Sequence, residues 1–269
     1  MIGAIIGDIV GSRFEIFNHK SKDFTLFDKF ECSFTDDSVM TLAVAKSLLD
    51  CKDNFENLKE ITIKNMVKIG RKYPSCGYGE TFYKWILTDK HEPYNSFGNG
   101  AAMRVSACGI VAKSIEEAKD LSRKVTEISH NHEEGLKGAE SVAVAIFLAK
   151  TGWSKEKIRE YIDSNYYKIG FTLDEIREKY HFDVTCQGSV PQAFEAFFES
   201  NSFEDAIRNA ISIGGDSDTI AAITGGIAGI FYGVPREIRD EAIEFLEEDL
   251  KEILYEFENK YKNIKSLKD

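Results

Sequence analysis

Two short acidic clusters, Thr35-Asp36-Asp37 and Asp216-Ser217-Asp218-Thr219, hold the residues of this chain best suited to chemistry. They are alike in composition and in setting, since each reads as the opening of a helix, with Thr35 placed as an N-cap and two acids in the turn that follows. A helix N-terminus carries about half a positive charge, which favours carboxylates and disfavours a bare cation, so a metal held there needs several carboxylates. Four aspartates from two converging helices balance two divalent ions, and the threonine hydroxyls add neutral oxygen ligands. An all-oxygen set without histidine or thiolate favours Mg²⁺, Mn²⁺ or Ca²⁺ over zinc. Either cluster alone reads better as a capping motif on a solvated helix. The pair, each attached to an apolar or small-residue helix that ought to be buried, points instead to a metal site.

Several other residues invite a chemical reading. In Phe97-Gly98-Asn99-Gly100 two glycines around an asparagine permit positive φ, and the following amides begin a helix, as in an anion-binding nest; an ordinary helix-start turn with a core Phe has the same sequence. His130 is read either as a structural histidine or as a binding residue, and His132 as an exposed one. Cys32 lacks an evident activating partner and is read as a buried structural thiol. Arg104 is expected to pair with an acid or to buttress its loop. Asp8 lies inside an apolar helix, so it should be hydrogen-bonded, with the loop that carries Glu15 as the expected partner.

The elements that must position these groups are helical nearly everywhere. Apolar residues recur at helical spacing over 35–49, 55–71, 100–113, 116–131, 136–150, 155–163, 191–199, 203–213 and 237–261, and only four prolines interrupt the chain. The opening GAIIGDIVG and the later DTIAAITGGIAGIFYG are rich in glycine and alanine, which permit close helix approach, so these two helices are expected to be central and adjacent. Residues 165–171 are the piece most suited to irregular or weakly β-like structure. The expected fold is all-α, with residues 1–269 as a single domain whose last eight or so residues fray.

Composition narrows the function. The 269 residues are 43% hydrophobic, ample for a core, and the net charge of −11 repels nucleic acid and anionic lipid alike, which leaves a small ligand or a protein as partner. Five scattered cysteines, none in a C-x-x-C pair, suggest neither a disulfide framework nor a thiolate site and point to a reducing, cytoplasmic setting. The apolar N-terminus meets Asp8 too early for a signal peptide or membrane span. A monomer is expected.

Taken in order, Gly7-Asp8-Ile9-Val10-Gly11-Ser12-Arg13-Phe14-Glu15, Thr35-Asp36-Asp37, Gly98-Asn99-Gly100-Ala101-Ala102-Met103-Arg104, Ser129-His130 and Gly214-Gly215-Asp216-Ser217-Asp218-Thr219 resemble the ordered motifs of the ADP-ribosylglycohydrolases. The resemblance spans residues 2–233 and rests above all on the TDD and GGDSDT pair. It implies an all-α fold, a binuclear Mg²⁺ or Mn²⁺ centre, and cleavage of the bond between ribose C1″ of ADP-ribose and a protein side chain or small acceptor. Carried over by position, the metal ligands would be Thr35, Asp36, Asp37, Asp216, Asp218 and Thr219, with Asp218 shared between ions. Glu15 matches the family's mobile acidic residue near the scissile bond. The segment Gly98, Asn99, Gly100, Ala101, Ala102 and Met103 would cradle the diphosphate and distal ribose, with Phe97 available for adenine stacking. Gly77, Tyr78 and Gly79 are similar to a substrate-lining loop, and His130 aligns with a histidine near the substrate.

The resulting expectation is metal-assisted glycoside hydrolysis, with Asp216 or Glu15 as general base or acid. The acceptor, whether arginine, serine, another linkage or a free metabolite, is not legible in these motifs. Two other readings stand beside it: a two-metal phosphohydrolase acting on a nucleotide, and a non-catalytic member akin to the family's lens crystallin. Against the first stands the lack of a histidine or His-Asp pair in the ligand set, and against the second the retention of all six ligand positions.

Overall fold

The computed structural model describes residues 1–261, so the fraying expected for the last eight residues lies outside the described residues. Fifteen α-helices follow one another among them, with no strand: α1 (Ile2–Gly11), α2 (Asp36–Asp50), α3 (Leu58–Lys72), α4 (Glu80–Leu87), α5 (Gly100–Met103), α6 (Ser106–Val111), α7 (Ile115–Thr126), α8 (Glu133–Lys150), α9 (Lys155–Asn165), α10 (Leu173–Ile176), α11 (Cys186–Phe198), α12 (Phe203–Ile211), α13 (Ser217–Phe231), α14 (Arg236–Ile243) and α15 (Glu248–Lys260). Of the expected 165–171 stretch, Asn165 still belongs to α9, and 166–171 are irregular and show no β-pairing. No helix among the described residues is long and apolar enough to cross a membrane.

α1 and α13 are the expected central pair, and glycine explains their contact. A β-carbon on Gly3 would stand 2.2 Å from Gly225 O, one on Gly7 2.0 Å from Ala221 O, and one on Gly11 2.5 Å from the Asp218 Cα. Glycine at i, i+4 and i+8 forms a bare stripe on which the two backbones meet. Both helices are buried over most of their length, α13 with α8, α11 and α12 packed around it. Their amphipathic partners supply the outer layer: α12 buries Phe203, Ala206, Ile207, Ala210 and Ile211 at helical spacing and faces solvent with its acids.

Several elements differ from the spacing-based expectation: α7 ends at Thr126 rather than reaching 131, α4 and α10 fall where the spacing gave no helix, and three expected helices divide or begin elsewhere. The helix expected over 100–113 is two short pieces, because Arg104 and Val105 adopt bridge-region angles (φ −95°, ψ −1° and φ −92°, ψ 5°) that turn the chain between α5 and α6. The stretch 237–261 divides into α14 and α15. Its acids Glu248 and Asp249 sit in the first turn of a new helix, where the helix dipole favours them, rather than in the middle of a long one. α11 begins five residues before Pro191, at the Thr185 N-cap, so the proline lies inside the helix instead of opening it.

Candidate functional site

α1 carries the two acidic clusters in register. Its Gly11 lies on the start of α13, fixing the height of Asp218, while Asp8, fully buried on the same helix, reaches the start of α2. Asp8 Oδ1 accepts from Thr35 Oγ1 at 2.6 Å, and Asp8 Oδ2 accepts from Thr35 N at 2.9 Å, Ser38 N at 3.0 Å and Ser38 Oγ. The expected partner, the Glu15 loop, is therefore corrected: Asp8 spends its acceptors on orphan donors of the α2 N-terminus. Thr35 is the N-cap of α2 as expected, its Oγ1 accepting from Asp37 N at 3.3 Å. Because the hydroxyl proton goes to Asp8, the remaining lone-pair side of Thr35 Oγ1 is left for another partner.

The second cluster is set by Gly214 (φ 66°) and Gly215 (φ 79°), two successive left-handed residues that only glycine adopts without strain and that swing Asp216 to the mouth of α13. Thr219 Oγ1 then donates to Asp37 Oδ2 at 3.1 Å, tying α13 to α2 across the cleft. Carboxylate oxygens of Asp8, Asp37 and Asp218 lie within 4.8 Å of one another, as do those of Glu15, Asp216 and Asp218, so Asp218 belongs to both groups. Asp36 sits beside them, its amide bonded to Cys76 O at 2.7 Å.

No arginine or lysine among the described residues forms an ion pair with Asp8, Asp36, Asp37, Asp216 or Asp218. Burial first, and mutual repulsion second, push the carboxyls of Asp36, Asp37 and Asp218 well above the usual carboxylate range. Glu15 rises for the same reasons, with Asp216 and Asp8 as the repelling charges. Asp37 Oδ1 is buried without a hydrogen-bond partner. Crowded carboxylates with an orphaned oxygen fit a divalent cation, which supplies the missing positive charge. Asp8 is the exception, since its Oδ2 already accepts three bonds and its role is to hold α2.

A cleft of 580 Å³ opens over these acids. Of the residues singled out from sequence, Glu15, Gly77, Gly79, Gly98, Asn99, Gly100, Met103 and His130 line it together with Thr35, Asp36, Asp37, Asp216, Asp218 and Thr219. Tyr78 does not; its ring stacks on Tyr83 at 5.9 Å. Ala101 and Ala102 are fully buried, and Phe97 is 42% exposed, edge-on to His132. Gly77 has the positive φ of a tight loop (91°), and a side chain there would approach Asp36 Oδ1 at 3.5 Å.

The Gly98-Asn99-Gly100 segment is not a left-handed nest. Asn99 is right-handed (φ −65°), neither glycine has positive φ, and the amides are spent inside the fold, Gly98 N on Ser96 Oγ at 3.1 Å and Asn99 N on Val184 O at 2.8 Å. β-Carbons on Gly98 and Gly100 would stand 3.6 and 3.5 Å from His130 Nε2, an ordinary contact distance, so the two glycines mark the stretch of chain that runs beside the imidazole. The Asn99 side chain faces the acids, donating to Asp216 Oδ2 at 2.6 Å and to Ser189 Oγ at 3.0 Å. His132 is a half-buried N-cap of α8, accepting from Glu134 N at 3.1 Å, rather than a free surface group. Arg104 has no acid partner and bonds Ser129 instead.

Sequence reasoning missed Phe82, Tyr94, Phe182 and Val184, which also line the cleft. Phe82 lies on α4, a helix of eight residues too short for its periodicity to stand out. Val184 enters because 97–99 and 184–186 pair through an isolated bridge between Gly98 and Thr185, a long-range contact with no local signal.

The model of the family described as ADP-ribosylglycohydrolase matches residues 1–265. The chain is 27% identical to ADP-ribosylhydrolase ARH3 of Homo sapiens over 311 residues, covering 87% of this chain and 84% of the relative. It is 27% identical over 144 residues to ADP-ribosylarginine hydrolase Tri1 of Pseudomonas putida, covering 51% of this chain and 39% of that protein. A solved structure titled ADP-ribosylglycohydrolase-related protein complex superposes with a TM-score of 0.68 at 20% identity, covering 96% of both chains, which shows a shared fold. The chain belongs to the ADP-ribosylglycohydrolase family and is a hydrolase acting on glycosyl bonds.

Proposed function

We propose that this chain hydrolyses the ribose C1″ glycosidic bond of an ADP-ribosylated side chain or a related ADP-ribose conjugate, in a reaction that depends on two divalent cations, Mg²⁺ or Mn²⁺. The observation that carries the reading is the cluster of buried carboxylates, unpaired with any cationic side chain, at the floor of one cleft. Thr35, Asp36, Asp37, Asp216, Asp218 and Thr219 would hold the ions, with Asp218 shared, and bound ions would stabilise developing negative charge and orient sugar hydroxyls and water. Neither the phosphohydrolase nor the crystallin reading has an observation in its favour.

The chain's own residues divide the remaining work. Burial raises the Asp216 carboxyl as it does that of Glu15, but Asn99 donates to Asp216 Oδ2, and that bond opposes the rise and fixes the carboxylate where it could hold a cation. No hydrogen bond from another described residue reaches the Glu15 carboxylate, and burial and neighbouring charge raise its proton affinity, so Glu15 is the better general base toward water. The ADP-ribose would lie along Gly98, Gly100 and Met103 beside His130, with Gly77 and Gly79 on the opposite wall. The exposed Phe97 ring is available to adenine at the end of that path.

The test is mass spectrometry of products after incubation with arginine-linked and serine-linked ADP-ribosyl peptides, with and without Mg²⁺ or Mn²⁺. Release of ADP-ribose and unmodified peptide only when cation is present is expected, and the preferred peptide identifies the linkage. Intact substrates under every condition, or release of phosphate, would sink the proposal.

A further inference from the structure

Arg104 is fully buried between α5 and α6, yet it makes no ion pair among the described residues. Its Nη2 donates to Ser129 Oγ at 2.7 Å and lies 3.4 Å from His130 Nδ1, while Ser129 Oγ stands 2.9 Å from the same Nδ1. The guanidinium is stacked over the Phe82 ring at 5.2 Å, and Nε and Nη1 have no hydrogen-bond partner. An arginine that served packing alone would be unfavourable here, because a buried charge without a counter-charge is strongly disfavoured.

The donor inventory fixes the proton. A guanidinium has hydrogens and no lone pair, so it can only donate. Ser129 Oγ accepts from Arg104 and turns its own proton toward His130 Nδ1. With two donors converging on it, Arg104 Nη2 and the Ser129 hydroxyl, that nitrogen serves as a lone-pair acceptor, and the single imidazole proton belongs on Nε2. Nε2 is the ring atom nearest the β positions of Gly98 and Gly100, at 3.6 and 3.5 Å, and all three residues line the cleft. The rings of Tyr94 and Phe82 lie 5.6 and 6.1 Å from the imidazole, and among the described residues no carboxylate hydrogen-bonds it to favour an imidazolium.

We propose that Arg104, acting through Ser129, is a positioning residue that holds His130 as the neutral Nε2–H tautomer, presenting a fixed hydrogen-bond donor to an oxygen of ADP-ribose. The ligand half of this inference rests on the function proposed above. Burial and the adjacent guanidinium hold the His130 pKa well below its usual value, so the donor persists in one form through the neutral range. Arg104 itself is pushed down by burial only to about 10 and keeps its charge there.

The experiment is long-range proton–nitrogen NMR on protein labelled with nitrogen-15 histidine, with His130 assigned by His130→Gln. In ligand-free wild type, His130 should show the neutral Nε2–H pattern, unchanged from about pH 8 to about pH 5. Arg104→Met should give a tautomer mixture and a histidine that titrates within that range, whereas Arg104→Lys, which keeps a buried donor and charge, should restore the wild-type pattern in large part. On adding ADP-ribose the Nε2 proton signal should shift, and KM of Arg104→Met should rise about tenfold with kcat changed far less. A wild-type His130 carrying its proton on Nδ1, or titrating near its usual value, overturns the proposal whatever the variants do. A locked tautomer with no response to ADP-ribose overturns the ligand assignment and indicts the functional reading, while the Arg104–His130 geometry stands.

Discussion

Gly11 and Asp218 touch through their backbones: a β-carbon on Gly11 would lie 2.5 Å from the Asp218 Cα and 2.6 Å from Ser217 O. The contact makes one helix the gauge for both halves of the acidic cleft, since Asp8, three residues earlier, grips the start of α2. Gly11→Ala should therefore do more than destabilise. The clash is with backbone that cannot swing aside, so unfolding free energy should fall by about 2 kcal/mol or more, and α13 should be displaced at the position of Asp218. Gly170→Ala is the control, as nothing lies within 4 Å of that position and its change should stay within about 0.5 kcal/mol. Urea titrations of both variants measure the difference, and equal stabilities would contradict the backbone contact.

Cation binding should appear as stability. A ligand bound only by the native state contributes RT ln(1 + [L]/Kd), which is about 2.7 kcal/mol at one hundred times Kd. Wild type should melt at higher temperature as Mg²⁺ or Mn²⁺ is added, and chelator should reverse the gain together with activity. Asp218 is common to both carboxylate groups, so Asp218→Asn removes a charge that each needs. That variant should fold, show little cation-dependent stabilisation, and turn over substrate orders of magnitude more slowly. Near-normal turnover of Asp218→Asn at saturating cation would refute the shared role.

Much of this was legible in the sequence, and the reason is local. The glycine stripe of α1, the Thr35 cap and the acid-rich helix starts are determined by residues within one or two turns, and each is readable at its place. What could not be read required a partner distant in the chain. Nothing near Asp8 says that its acceptors go to Thr35 and Ser38, and nothing near Val184 says that its carbonyl receives the Asn99 amide. The glycines around Asn99 show a second limit: sequence announces that a side chain is missing, but not whether conformation or space required it. Here neither did: Gly98 and Gly100 lack positive φ, and a β-carbon on either would make only ordinary contact with His130.

Away from the cleft, Glu195 offers a test of buried charge. It is 3% exposed on α11, bonded to Arg159, and burial outweighs that pairing to push its carboxyl up to about 7, with Glu199 adding to the rise. The folded-state value lies above the ordinary 4.5, so the folded state holds the proton more tightly than the unfolded chain does. The associated stability is fully present below that ordinary value and is lost as pH rises through 7. Between about pH 5 and about pH 8.5, wild type should lose on the order of 2 kcal/mol relative to Glu195→Gln, which has no proton to release. Denaturation curves for both proteins across that range measure it, and a constant difference would show that Arg159 compensates the charge in full.

Asp8 is the residue whose conservative replacement should separate folding from function. Its Oδ2 accepts from two backbone amides and a hydroxyl at the start of α2, and its Oδ1 takes the Thr35 hydroxyl proton. Asp8→Ala removes every acceptor and leaves two buried N–H groups orphaned, at about 1–3 kcal/mol each, so that variant should be severely destabilised. Asp8→Asn can keep its one carbonyl oxygen on the amide side, where only an acceptor will serve, and must then turn its NH₂ toward Thr35 Oγ1. Thr35 Oγ1 would become an acceptor from both that NH₂ group and the Asp37 amide, and its own proton would have to point into the cleft, where a cation ligand needs a lone pair. Asp8→Asn should accordingly stay within about 1 kcal/mol of wild type without metal, yet bind Mg²⁺ or Mn²⁺ markedly more weakly and lose most activity. Calorimetric titration with the metal decides it: wild-type affinity in Asp8→Asn would mean that the direction of the Thr35 hydroxyl is irrelevant to the site.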